Sequence, residues 1–167
     1  SGDQLTVELP LAELTPPILV DPDWKSTGDM AYGRFYHRVN MLPDRRMLAT
    51  GGCSASVCSG DLTIGTCRTP VRAIEALDMG TTTFTIVANS SEPRFFHVAE
   101  VVEGGNVLIA GGCTAPPCAV TSSAELLDPQ NGSVTPIDPL PIKLAGQAST
   151  VLADGRVFFF NDSATTE

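Results

Sequence analysis

Short apolar runs separated by turn residues recur along the chain, and no segment shows the spacing of an amphipathic helix. Val39 to Pro43 and Met47 to Thr50 flank Asp44-Arg45-Arg46, the pattern of two strands around a turn. Val107 to Ala110 follows Glu103-Gly104-Gly105-Asn106, and Val157 to Phe160 follows Ala153-Asp154-Gly155-Arg156. Asp-Gly and Gly-Gly between apolar runs favour tight hairpins, because both residues reach positive φ at low cost. Val107-Leu108-Ile109-Ala110 is apolar throughout, as expected of a strand buried on both faces. Further strands are predicted at Ala73 to Leu77 and Ser123 to Leu127. Their partners are Thr83 to Val87 and Ser133 to Ile137, with turns at Met79-Gly80 and Asn131-Gly132. The pattern predicts an all-β chain.

The strands are arranged as a repeat. His37 precedes Cys53 by 16 residues, and His97 precedes Cys113 by 16. Both stretches end in a strand closed by two glycines, Gly51-Gly52 and Gly111-Gly112. Glu75-Ala76-Leu77-Asp78 matches Glu125-Leu126-Leu127-Asp128, and each Glu stands 22 residues before the next His or its substitute, Gln147. Four short strands per repeat of about 40–60 residues is the signature of one propeller blade. The glycine pair fits a place where neighbouring backbones crowd and a side chain would not fit. The chain is expected to form one partial propeller domain over 1–167. It divides into a half blade at 18–30, blades at 34–88 and 94–138, and a half blade at 145–160. Propellers typically hold about four to eight blades. The remainder is therefore expected from the same polypeptide or from a second chain.

The run from His37 to Gly52 carries His, then Leu42-Pro43-Asp44, Arg46, Leu48 and Gly51-Gly52. That run resembles kelch repeats, in particular the bacterial and galactose-oxidase-like branch. His97 to Gly112 keeps the double glycine and lacks the Pro-Asp. Gln147 to Phe160 keeps Leu152-Ala153-Asp154-Gly155-Arg156-Val157 and has Asn161-Asp162 in place of the glycines. Ile18 to Trp24 is similar to the family's back half blade, so the resemblance covers roughly Ile18 to Phe160. It implies a β-propeller and, more often than one chemistry, a binding platform.

Composition narrows the function. The chain is 43% apolar and 17% charged, the balance of a globular protein. Its net charge of −9 argues against nucleic acid and anionic membranes, which require clustered Lys and Arg. No run reaches the ~18 apolar residues of a membrane span. Cys53 and Cys58 follow one Gly-Gly, and Cys113 and Cys118 follow the other, in loops rich in Ser, Ala, Pro and Thr. Two loop disulfides are expected, Cys53–Cys58 and Cys113–Cys118. Cys67 is then left over, free or bonded to a partner or a missing part. Loop disulfides persist in oxidising compartments, so the chain reads as secreted or cell-surface. The sequons at Asn89, Asn131 and Asn161 are candidate glycosylation sites in that setting.

The remaining chemistry-bearing residues read as structural. His37 and His97 recur in register and are replaced by Gln147, which fits hydrogen bonding better than acid–base work. Glu75 and Glu125 recur likewise and are expected to bond between blades, with Arg34 and Arg94 as partners. A zinc site of Cys53, Cys58, Cys113 and Cys118 is opposed by the distance between equivalent positions in adjacent blades. Asp21, Asp23 and Asp29 match no calcium loop. A copper oxidase would need further Tyr and His ligands beyond Tyr32 and Tyr36, as the galactose-oxidase-like resemblance implies. No catalytic, cofactor or metal set is expected within this chain. The expected function is a non-catalytic extracellular module presenting its cysteine loops, and the insertion from Ser59 to Pro70, to a protein or glycan. The alternative is a fragment of a secreted galactose-oxidase-like copper oxidase whose metal residues lie elsewhere.

Overall fold

A computed structural model describes residues 27–54 and 67–160. Ile18 to Trp24, Cys58, Asn161 and the greater part of the insertion lie outside the described residues. The chain is all-β. Its strands are β1 (Arg34–Phe35), β2 (Arg38–Met41), β3 (Met47–Thr50), β4 (Cys53–Ser54), β5 (Ala73–Asp78) and β6 (Thr83–Asn89). They continue as β7 (Val98–Val101), β8 (Val107–Ala110), β9 (Ala124–Asp128), β10 (Ser133–Ile137), β11 (Ala148–Val151) and β12 (Val157–Phe160).

Two four-stranded antiparallel sheets, in the orders β2-β3-β5-β6 and β7-β8-β9-β10, form the body. The hairpin β11–β12 repeats the first two strands of each. Registers match position for position: Arg38 faces Thr50 across β2–β3, Val98 faces Ala110 across β7–β8, and Ala148 faces Phe160 across β11–β12. Local chemistry sets the turns. Asp44 accepts from the Arg46 amide and guanidinium, and Asp154 does the same for Arg156. Such Asx contacts mimic a backbone turn. At the β5–β6 and β9–β10 turns, Asp78 accepts from the Gly80 amide and Asp128 from the Gln130 amide.

The core lies between the two sheets. Leu42, Leu48, Ile74 and Ala76 of the first meet Ala99, Val107, Ile109 and Leu127 of the second. The face of each sheet turned toward the preceding unit is termed its upstream face. Polar ties accompany the apolar contact. Arg38 Nε donates to the His97 carbonyl (2.8 Å), and Asn40 Nδ2 donates to the Ala99 carbonyl (3.0 Å). The predicted strands are found, shifted by a residue or two at their ends. The ribbon of β1 with β4 is an element the sequence pattern did not reveal, because two-residue strands carry no periodicity.

Candidate functional site

The repeated residues divide into two groups: fasteners between and within units, and a cysteine- and ring-bearing end. Glu75 and Glu125 are fully buried fasteners. Glu75 pairs with Arg34 and accepts from the amides of Ala31 (2.7 Å) and Tyr32 (3.3 Å). Glu125 pairs with Arg94 (3.3 Å) and accepts from the Ser91 amide (2.9 Å) and hydroxyl. Each carboxylate thus clasps the segment that leads into its own sheet, so Glu75 and Glu125 bond within a unit and not between blades as expected, because the entry segment of each unit runs back over its own third strand. Each arginine also donates to backbone carbonyls, Arg34 to Gly51 and Ala73, Arg94 to Gly111 and Ser123. Burial lowers the Arg34 pKa, opposed by the Glu75 charge beside it.

His97 is fully buried, and its Nε2 meets the Thr50 hydroxyl of the preceding sheet at 2.8 Å. Burial, with the charges of Arg94 and Arg38 adding to it, pushes its pKa down to about 3. The ring is neutral at physiological pH and joins two sheets. His37 occupies the same place on the upstream face of the first sheet, which no other sheet among the described residues covers. Burial lowers its pKa too, with the nearby Arg34 charge second. The glycine pair has the role its position implied. A Cβ on Gly52 would lie 2.9 Å from the Phe35 carbonyl, and one on Gly112 would lie 2.7 Å from the Phe95 carbonyl. Both residues, like Gly51 and Gly111, hold positive φ.

The cysteine end corrects the sequence expectation. Cys53 is bonded to Cys67, not to Cys58, and Cys67 is therefore not free. The cause is local pairing. Cys53 bridges Pro70 and the Ser54 amide donates to Thr69, so the returning chain brings Cys67 to the site. Cys113 is bonded to Cys118. Counted back from the next strand, the two loops differ by a single residue: Cys67 precedes Glu75 by eight residues and Cys118 precedes Glu125 by seven. That spacing was the available signal.

Around these disulfides packs a cluster of Phe35, Tyr36, Phe95, Phe96, Val120 and Ala145. Tyr36 and Phe96 stand at equivalent places, one residue before each histidine, and both hold positive φ, 57° and 55°. Their rings lie 4.1 Å apart between centroids, tilted by 38°. The backbone beneath them forms a ladder between units. The Phe96 amide donates to the Tyr36 carbonyl (3.3 Å), and the Gly146 amide donates to the Phe96 carbonyl (2.8 Å). Sequence reading singled out the histidines and passed over these neighbours. Asn89 and Asn131 are exposed.

Among the described residues, no group of three or more His, Cys, Asp and Glu side chains can hold a metal ion. No helix among them is long and apolar enough to cross a membrane.

No protein-family model and no curated protein matches the chain. Solved structures do. One is a fungal alcohol oxidase of the AA5 family, solved in complex with copper. The likeness has a TM-score of 0.62 at 20% identity and covers 75% of this chain. The matched region amounts to 27% of that oxidase. The chain therefore shares the all-β fold of part of that oxidase, and it contains two disulfides among its described residues.

Proposed function

We propose that these residues are a segment of a kelch-like β-propeller in a secreted or cell-surface protein, acting as a non-catalytic binding module. Residues 34–88 and 94–138 are two blades and 145–160 is the front half of a third. The cysteine-bearing end is its contact surface for a protein or glycan. The observation that carries this reading is the gathering of two disulfides and four aromatic side chains at one end of rigid, repeated sheets. Loops held on such scaffolds are where binding residues concentrate. The disulfides also support an oxidising compartment. The test is exchange of Cys53 with Cys67, and of Cys113 with Cys118, for serine in the full polypeptide. Binding to immobilised extracellular glycans and proteins should weaken while the β circular dichroism persists. Unchanged binding would mean the loops are scaffolding only.

A second reading has its own observation, the likeness to the copper-bound alcohol oxidase. In that reading the chain is propeller scaffold of a secreted galactose-oxidase-like oxidase. The described residues do not fit copper: the four cysteines are in disulfides, and His97 is enclosed with Nε2 occupied by Thr50. The ligands would lie outside them. Copper content and alcohol-dependent oxygen uptake of the full polypeptide separate the two readings.

A further inference from the structure

Asn131 is the chain's one asparagine followed by glycine. That dipeptide carries a chemistry of its own. The glycine nitrogen can attack the asparagine Cγ, because glycine has no side chain to hinder the approach. The new N–Cγ bond closes a succinimide ring, the Cγ–Nδ2 bond breaks, and Nδ2 leaves as ammonia. Water then opens the ring at either carbonyl, leaving aspartate or isoaspartate. Water is the one co-reactant, and nothing is oxidised or reduced.

The β9–β10 turn exposes Asn131 to solvent and yet ties down each atom the reaction needs. The attacking nitrogen is engaged, since the Gly132 amide donates to the Asp128 carbonyl (2.9 Å). The leaving nitrogen is engaged as well, since Asn131 Nδ2 donates to Asp128 Oδ2 (2.7 Å). The oxygen on Cγ accepts from the Ser133 amide (2.8 Å). Ring closure requires the backbone bond to break and the side chain to swing away from both its partners. The net contribution of one such hydrogen bond corresponds to a factor of roughly two to ten in an equilibrium constant.

We propose that Asn131 is a latent deamidation site, held unreactive by the closed turn and released whenever the turn opens. The site bears on the fold through what the turn touches. Gln130 Nε2 donates to Asp44 Oδ2 (3.0 Å), and Arg46 Nη2 donates to the Pro129 carbonyl (2.9 Å). The turn thus fastens the second sheet to the first. Gly132 sits so close to the Val87 carbonyl of β6 that a Cβ there would overlap it. Aspartate at 131 would set two acceptor-only carboxylates against each other, where Nδ2 now donates to Asp128. Isoaspartate would add a backbone carbon just ahead of the tightly packed Gly132. Either product opposes reclosing, so an opening of this contact between the sheets leaves a permanent chemical record. The chemistry holds under either functional reading.

The experiment uses the disulfide-intact chain made without glycosylation, because Asn131 heads a sequon and a glycan on Nδ2 would replace the leaving amine. The chain is kept in mildly alkaline buffer, native or unfolded in urea. Ammonia release and peptide mapping of aspartate and isoaspartate give the rates. In urea, Asn131 should convert ahead of the other asparagines. In the native chain it should convert slower by about tenfold or more. Asp128→Ala removes the acceptor of the leaving nitrogen and should speed native conversion roughly two- to tenfold, with the rate in urea unchanged. Equal rates in the native and unfolded chain would overturn the proposal. So would a folded Asp128→Ala chain that converts no faster, or another asparagine converting first in urea. Should that variant not fold, hydrogen exchange of the unaltered chain decides. A protected Gly132 amide is expected, and one that exchanges as fast as in urea would overturn the closed turn as the cause.

Discussion

The two four-stranded sheets have the same register and the same repeated residues, yet their upstream faces differ. In the second sheet that face is covered by the first. Ala99 is 5% exposed, and His97 is sealed against Thr50. In the first sheet no other sheet among the described residues covers the same face. Val39 is 47% and Met41 56% exposed, and His37 borders an apolar pocket of about 90 Å³ with Met30, Met47 and Phe84. A repeat position fixes where a side chain points. The neighbouring unit decides what that side chain contributes.

The comparison can be broken first at a position where the sheets do not differ. Glu75 and Glu125 are clasped within their own units, so Glu75→Ala and Glu125→Ala should be similarly severe. Glu75→Ala leaves the buried Arg34 uncompensated, Glu125→Ala leaves the buried Arg94 only the half-exposed Glu92 at 3.7 Å, and each should cost about 3–5 kcal/mol in urea unfolding. A mild Glu75→Ala would show that the open sheet does not need its clasp. The histidines should then separate the sheets. His97→Ala removes a buried hydrogen bond and leaves a void, and should cost about 2–3 kcal/mol, whereas His37→Ala should cost less than about 1.

The pH dependence follows the same division. As pH falls below about 6.5 the unfolded chain protonates, while folded His97 resists until about pH 3. Stability present at pH 7 is therefore lost progressively toward pH 3, by roughly 3 kcal/mol between pH 7 and pH 4. His97→Gln should flatten that slope in urea midpoints, and His37→Gln should flatten it in the same direction by less. The smallest effect belongs to the open face. Met41→Ser should stay within about 0.5 kcal/mol. A larger loss would mean that the face is covered in solution.

The division also explains what the sequence made legible. Strand order and hairpin turns were readable, because each depends on residues within one unit; the Arg–Glu partners were readable as pairs, but they act within a unit and not between blades as their recurrence implied. The Thr50–His97 contact was readable only as a recurring histidine, since its partner belongs to another unit. Cys67 was misassigned because counting forward from Gly52 ignores the return strand that fixes the loop's far end. The ring stack was missed because Tyr36 and Phe96 look like ordinary strand aromatics until their positive φ is seen.

Arg38 has a bearing on how the chain unfolds. Its Nε reaches the His97 carbonyl and its Nη2 reaches the Gln147 carbonyl, each at 2.8 Å. One guanidinium from the first sheet therefore holds the entry to the second and the entry to the β11–β12 hairpin. Repeat arrays ordinarily couple only nearest neighbours, so that terminal units fray independently. Here a side chain two units away resists that fraying. Amide exchange in β11 should accelerate on Arg38→Ala.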